Sequence, residues 1–250
     1  MRAIPVLGMG EIKPGDSIAD SILAALRRGR RKLVAGDILI VTHKVVSKAE
    51  GSVVALDEVR PSRAARLWAQ RYGREARVIE LALRESRRTV RMKKGVLITE
   101  TRHGAYGLIC ANSGVDVSNV DGGKSAALLP KDPDRSAQKL RQAIRRKTGL
   151  DIPVIITDSF GRPWRQGLIE AAIGSAGMRV FRDCRGQRDP YGYRLQVTQE
   201  AVADALAGMA GLACGKLSRA PACVIRGFAY QRGRGRARDL IRPPAQDLFR

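Results

Sequence analysis

Apolar positions along this chain fall into short strand-length runs separated by stretches of helical period. Residues 3–7 read as a strand. Pro14-Gly15-Asp16-Ser17 forms a turn that becomes a helix cap, and Ile18, Ile22, Leu23 and Leu26 then recur at helical spacing. The run Arg27-Arg28-Gly29-Arg30-Arg31-Lys32 reads as a charged loop, and Gly36-Asp37 turns into the β-branched strand 38–41. Helices are expected at 62–72, anchored by Leu67 and Trp68, and more loosely at 75–86. Strands at 96–99 and 108–111 flank a hairpin around Arg102-His103-Gly104. A helix at about 134–148 stops at Gly149, which suits the left-handed position past a helix end. Val154-Ile155-Ile156-Thr157 reads as a buried strand, 198–213 as a small-residue helix and 222–225 as a last strand. From Gln231 onward the chain is rich in Arg, Gly and Pro and reads as an irregular tail, so the division expected is 1–230 plus a basic tail, 231–250.

Composition narrows the class. Of 250 residues, 44% are hydrophobic, enough for a sizeable core, and no apolar run approaches the roughly 20 residues that span a bilayer. The apolar start, Met1 to Leu7, is too short for a signal peptide, and the chain reads as cytoplasmic. The four cysteines form no CxxC, which argues against a zinc ribbon or a thioredoxin-type site. Only two histidines are present, so a metal site needing three within one chain is excluded. The net charge is +22, and 35 of the 46 basic residues are Arg. That charge suits polyanionic partners, nucleic acid or nucleotides, or else simply decorates solvated faces.

Phosphate-loop signatures fail on spacing. The third glycine of a GxGxxG beginning at Gly8 would fall at Lys13, and a Walker-type loop ending at Gly123-Lys124-Ser125 would begin at Ser118. Three other segments carry chemistry. Lys48, in Val45-Val46-Ser47-Lys48-Ala49-Glu50-Gly51, follows a strand-to-loop junction and either reaches a phosphate as a point charge or lies solvated. The stretch from Cys110 to Val120 runs from a strand into small polar residues with Asp116 and two asparagines, suited to a hard cation or to an Asx-turn network. At the end of the strand 154–157 come Asp158 and Ser159, a metal-holding pair or a turn cap, followed by Arg162 and Arg165 as anion-binding groups. Together these residues suit phosphoryl-transfer chemistry without a P-loop.

The segments VVSKAEG (45–51), NSGVDVSNV (112–120), TDSFGRPWRQG (157–167), AIG (172–174), DPYGYRLQVTQEAVAD (189–204) and ACVIRG (222–227) resemble coenzyme F420-0:L-glutamate ligases over about residues 4–228. The resemblance implies a non-Rossmann, non-P-loop α/β (α+β) mixed-sheet fold forming an interlocked homodimer. It implies GTP-dependent addition of L-glutamate to F420-0, a phosphodiester-bearing deazaflavin, and then of γ-linked glutamates. It further implies magnesium or manganese, with potassium as a monovalent activator. By position, Asp116 and Asp158 resemble the catalytic metal-binding carboxylates, with Ser159 beside a second metal. Gly8, Met9, Gly10, Glu11, His43, Lys44, Lys48 and Asn119 stand where the nucleotide is contacted. Cys214, Gly215, Lys216, Leu217, Ser218 and Arg219 align with a further nucleotide and metal loop, where Lys216 departs from the Glu or Gln of other members. No reductase-like C-terminal extension is present, so ligase activity alone is expected. The rivals are a basic nucleic-acid-binding protein and a ligase of the same fold acting on another carboxylate. Aromatic residues are only 4%, which weakens the first.

Overall fold

The computed structural model describes residues 1–102 and 107–247. In chain order, β1 (Arg2–Val6) leads to α1 (Ile18–Arg28), β2 (Ile38–Thr42), α2 (His43–Ala49) and β3 (Val53–Ala55). Next come α3 (Arg63–Tyr72), α4 (Ala76–Arg84), β4 (Ser86–Lys93), β5 (Val96–Thr101), β6 (Ile109–Ala111) and β7 (Ser125–Ala127). Then follow α5 (Pro133–Thr148), β8 (Val154–Arg162), β9 (Arg165–Ala176), β10 (Phe181–Asp183), β11 (Gln199–Ala201), α6 (Val202–Cys214) and β12 (Ala222–Arg226). The result is a mixed α/β structure with several sheets.

The main sheet has the order β1-β12-β2-β8-β9, and its single parallel pairing is β2 with β8. Its central strands are apolar on both sides because both faces are covered. On one face Leu39, Val41, Val154 and Ile156 join α1 and α5 through Ile22, Leu140 and Ile144. On the other, Ile38, Ile40, Ile155 and Ile225 meet α6 through Ala203, Leu206 and Ala210. Each fully buried Ile or Leu here contributes about 1.5–3 kcal/mol. A third core, with Ile79, Leu81 and Leu97, lies where α3 and α4 meet the sheet β4-β5-β6.

Local signals account for the element ends. The Ser17 hydroxyl accepts from Asp20 N at 3.2 Å and starts α1, and Gly149 closes α5 at φ +74°. Two glycines of the main sheet and its cover are required by close approach. A Cβ at Gly174 would strike the Pro133 carbonyl, and one at Gly211 would strike the Glu170 side chain. So α5 and α6 seat closely against β9.

Several expectations change. The charged run begins inside α1, which extends to Arg28 before Gly29 caps it. The segment 45–51, read as following a strand-to-loop junction, falls largely in α2, so Lys48 stands on a helix. The strand at 154–157 runs on to Arg162 and returns as the twelve-residue β9. Neither β9 nor β4 shows in the sequence pattern, because β4 is an Arg- and Lys-rich edge strand and β9 begins polar and ends in small residues. Residues 199–201 pair as β11 before α6 begins at Val202. The turn expected at Arg102-His103-Gly104 lies from His103 onward outside the described residues, though β5 and β6 do pair antiparallel. Residues 231–247 form no long element but are tied down. Asp134 of α5 is buried and accepts from Ser175 N and Ala237 N, each at 2.8 Å.

Candidate active site

The parallel pairing of β2 and β8 sets Thr42, the last residue of β2, beside Thr157, so the start of α2 lies level with Asp158 and Ser159 in the middle of β8. Ligand sites form outside the carboxyl ends of strands in α/β sheets. From β2 the chain turns straight into α2, whose first residues are His43 and Lys44. From β8 come Asp158 and Ser159. His43 is buried, with Nε2 3.3 Å from Asp158 Oδ1 and Nδ1 3.3 Å from Ser47 Oγ. Ser159 N donates to the same Asp158 Oδ1 at 2.7 Å. In the middle of β6, burial and then the Asp158 charge push the Cys110 thiol up to about 12.

Lys44 holds the second carboxylate. Its Nζ is 2.8 Å from Asp116 Oδ2 and donates to Ser118 Oγ at 2.9 Å, while Ser118 N donates to Asp116 Oδ1 at 2.7 Å. Burial pushes the Asp116 carboxyl up, but the Lys44 ammonium and the Ser118 donors outweigh it and hold the group below the usual carboxylate range. One turn further along α2, Lys48 pairs with Glu11 and donates to the Asn119 carbonyl at 3.3 Å. Asn119 sits at φ +56°, a left-handed conformation that Asn tolerates. The segment Gly8-Met9-Gly10-Glu11 approaches with Met9 buried and both glycines at φ +75°. Thus α2 lies against the loop after β1, the loop after β6 and the middle of β8.

The opposite face of β8 carries a second cluster. Strand alternation places Asp158 with Val154 and Ile156, and Ser159 with Ile155 toward α6. Ser159 Oγ donates to Glu170 Oε1 at 2.6 Å, and Lys216 Nζ lies 2.6 Å from the same oxygen and hydrogen-bonds Ser159 Oγ. Burial pushes the Glu170 carboxyl up, but Lys216, Ser159 and Thr157 together bring it below its ordinary value. The loop after α6 starts with Gly215 at φ +62° and holds Arg219 at φ +54°. Ser218 Oγ donates to the Cys214 carbonyl, Cys214 Sγ donates to the Ala222 carbonyl at 3.6 Å, and Leu217 is exposed.

Two expected residues stand apart. Arg162 and Arg165 face each other across the β8–β9 turn, and Arg162 donates to Gln166 O at 3.1 Å within that turn. Arg162 is four residues beyond Asp158, roughly 13 Å along a strand. Glu170 was not singled out from the sequence. Its only signal was its place just before the AIG segment, on a strand the pattern did not reveal.

The donors suit a divalent cation on the Asp158 side. Among the described residues no three His, Cys, Asp or Glu gather as a closed metal site. Asp158 Oδ2 accepts no hydrogen bond from described residues, and magnesium commonly takes one or two carboxylates and completes its shell with water and substrate phosphates. At Ser159 the fit fails, since the hydroxyl is held between Glu170 and the Lys216 ammonium, which cannot ligate a metal.

Known proteins resemble this chain over most of its length. Residues 7–227 match the F420-0:gamma-glutamyl ligase family. The coenzyme F420:L-glutamate ligase of Methanopyrus kandleri is 42% identical, over 100% of this chain and 98% of that protein. That of Methanothermobacter thermautotrophicus is also 42% identical, over 99% and 98%, and that of Methanocaldococcus jannaschii 42%, over 86% and 85%. Family match and full-length likeness extend across every segment of the site, and the chain belongs to the F420-0:gamma-glutamyl ligase family.

Proposed function

We infer that this protein is a GTP-dependent ligase that joins L-glutamate to F420-0 and then adds further glutamates through γ-linkages. The observation that carries the reading is that consecutive α2 residues, His43 and Lys44, lie 3.3 Å and 2.8 Å from Asp158 and Asp116, in a chain matched by the family from residue 7 to 227. Carboxylates and lysines thereby gather around the carboxyl end of β2 and the start of α2, which suits binding of a metal–nucleotide.

In this mechanism Lys44 and Lys48 turn toward the GTP phosphates, while Asp158 and Asp116 hold magnesium or manganese. The cation, when bound, neutralises charge developing on the phosphates. A carboxylate oxygen of F420-0 attacks the γ-phosphorus in line, the bond to the β-phosphate oxygen breaks, and GDP leaves. The amine of glutamate attacks the acyl phosphate, loses a proton, and expels phosphate to leave the amide. Catalysis is chiefly positioning and charge stabilisation. Potassium belongs to the same reading as a monovalent activator. The cationic surface, at net +22, favours encounter with these anionic substrates.

A homodimer is part of the proposal. Trp164 at the β8–β9 tip is 83% exposed, and Leu212 and Leu217 are 90% and 94% exposed, which suits burial against a second copy. Sedimentation velocity tests this directly. The family match does not favour the nucleic-acid-binding alternative. The deciding experiment incubates the purified protein with F420-0, L-glutamate, GTP and manganese and reads product mass. GTP-dependent glutamyl increments are expected. A protein that binds GTP but adds no glutamate to F420-0 would be a ligase for another carboxylate.

A further inference from the structure

Beside the site, at the outer edge of β9, lies a cavity of about 340 Å³, within the size range of small-molecule pockets. Phe160 and Ile109 line it, and Phe160 is two residues beyond Asp158 on the same face of β8. Leu129 closes one side. The far wall is the C-terminal segment, which contributes Leu240 and Ile241 and places Arg238 and Arg242 at the rim, together with Asp247. A buried anchor fixes this wall, because Asp134 Oδ1 accepts from Ala237 N while Oδ2 lies 3.5 Å from Arg238 Nε. Asp204 of α6 also faces the cavity; its Oδ1 accepts from Ala172 N at 2.8 Å. Burial keeps that carboxyl above its ordinary range despite the Ala172 N–H, consistent with a polar group inside an apolar enclosure.

We propose that this cavity takes the planar ring system of the acceptor substrate, and that the C-terminal segment 237–247 forms its wall, with Arg242 facing the substrate's phosphodiester. The proposal rests on the F420-0 reading of the site. Three observations combine in it: apolar walls around Phe160, the exposed Arg242 among the lining residues that also include Asp247, and the place of Phe160 two residues beyond Asp158 on β8. A flat heteroaromatic ring between Phe160, Leu129 and Ile241 gains from apolar burial and stacking. Its phosphodiester then meets the Arg242 guanidinium, which can bind it through two parallel hydrogen bonds. The tail thus becomes a determinant of which acceptor is used.

The test compares the parent protein with Leu240→Trp, which fills the cavity, and Arg242→Glu, which reverses an exposed charge at the rim. Binding of F420-0 is followed by deazaflavin fluorescence, binding of GTP by calorimetry, and turnover by product mass. The expected result is at least a tenfold weaker Kd and higher KM for F420-0 in each variant, with GTP affinity unchanged. F420-0 affinity within twofold of the parent in both variants overturns the proposal. Equal weakening of F420-0 and GTP also overturns it, because the tail would then be only a structural brace. A parent protein that adds no glutamate to F420-0 refutes the ligase reading itself, which the variants do not address.

Discussion

Lys216 and Glu170 form an ion pair, 2.6 Å between Nζ and Oε1, that links the loop after α6 to the edge strand of the main sheet. The carboxylate is largely enclosed and the ammonium is largely exposed, so the pair spans the boundary between core and solvent. Ser159 completes it from β8. An ammonium thus stands where the family resemblance led to the expectation of a second metal.

Replacing that ammonium should change the metal requirement. Lys216→Gln frees Ser159 Oγ and Glu170 for a cation, so manganese bound per chain in the presence of a GTP analogue should rise, and the half-saturating manganese concentration should shift. Electron paramagnetic resonance of free manganese counts the bound ions. An unaltered titration would place Lys216 outside the metal's reach.

The pair also sets an acid limit. Glu170 has a folded pKa below its ordinary 4.5, so its stabilisation is fully present above that value and is lost as pH falls through the lowered one. In Lys216→Ala the burial cost is no longer offset to the same extent, and the carboxyl should titrate at higher pH than in the parent. The acid-unfolding midpoint, followed by near-ultraviolet circular dichroism, should move upward. A midpoint that stays put would show that solvent screens the pair completely.

Asp158→Asn keeps the shape of the side chain and its contact with the Ser159 N–H but removes the charge. Ligation should fall about 10²–10³-fold, the usual loss for one electrostatic element of an active site. The thermal transition should stay within a few degrees of the parent. Near-normal turnover would remove Asp158 from the metal assignment.

Asp134→Ala orphans the Ser175 and Ala237 amides at once. At about 1–3 kcal/mol for each buried group left unsatisfied, several degrees of Tm should be lost. Proteolysis should begin C-terminal to Tyr230. A resistant tail would mean that Leu240 and Ile241 hold it without the anchor.

The sheet's central strands were legible because 38–41 and 154–157 are apolar on both faces, a pattern only a covered sheet requires. The carboxylates were legible for a related reason, since Asp158 stands where an apolar run ends. Strand β9 was not, because it opens on Arg165, Gln166 and Gly167, its pairing with β8 is irregular, and its glycines and alanines from 171 onward fit beneath α5 and α6; tertiary contact, not local propensity, makes it a strand. Glu170 was hidden with it. Helix α2 was not legible either, since its seven residues offer too few turns for a periodic signal, and its ends are fixed by what it lies against.

Strand β2 lies between β12 and β8, and β1 pairs with β12 alone. The order of synthesis therefore opposes the order of assembly. A nascent chain lacks both neighbours of β2 until residues 154–162 and then 222–226 have emerged. During that interval Ile38, Leu39, Ile40 and Val41 have no sheet to enter, and loop-closure entropy must be met before any non-local pairing rewards it. Helix α2 follows this strand directly, so His43 comes beside Asp158 only with the late pairing. Folding should accordingly be slow, with aggregation from the waiting strand as its competing fate.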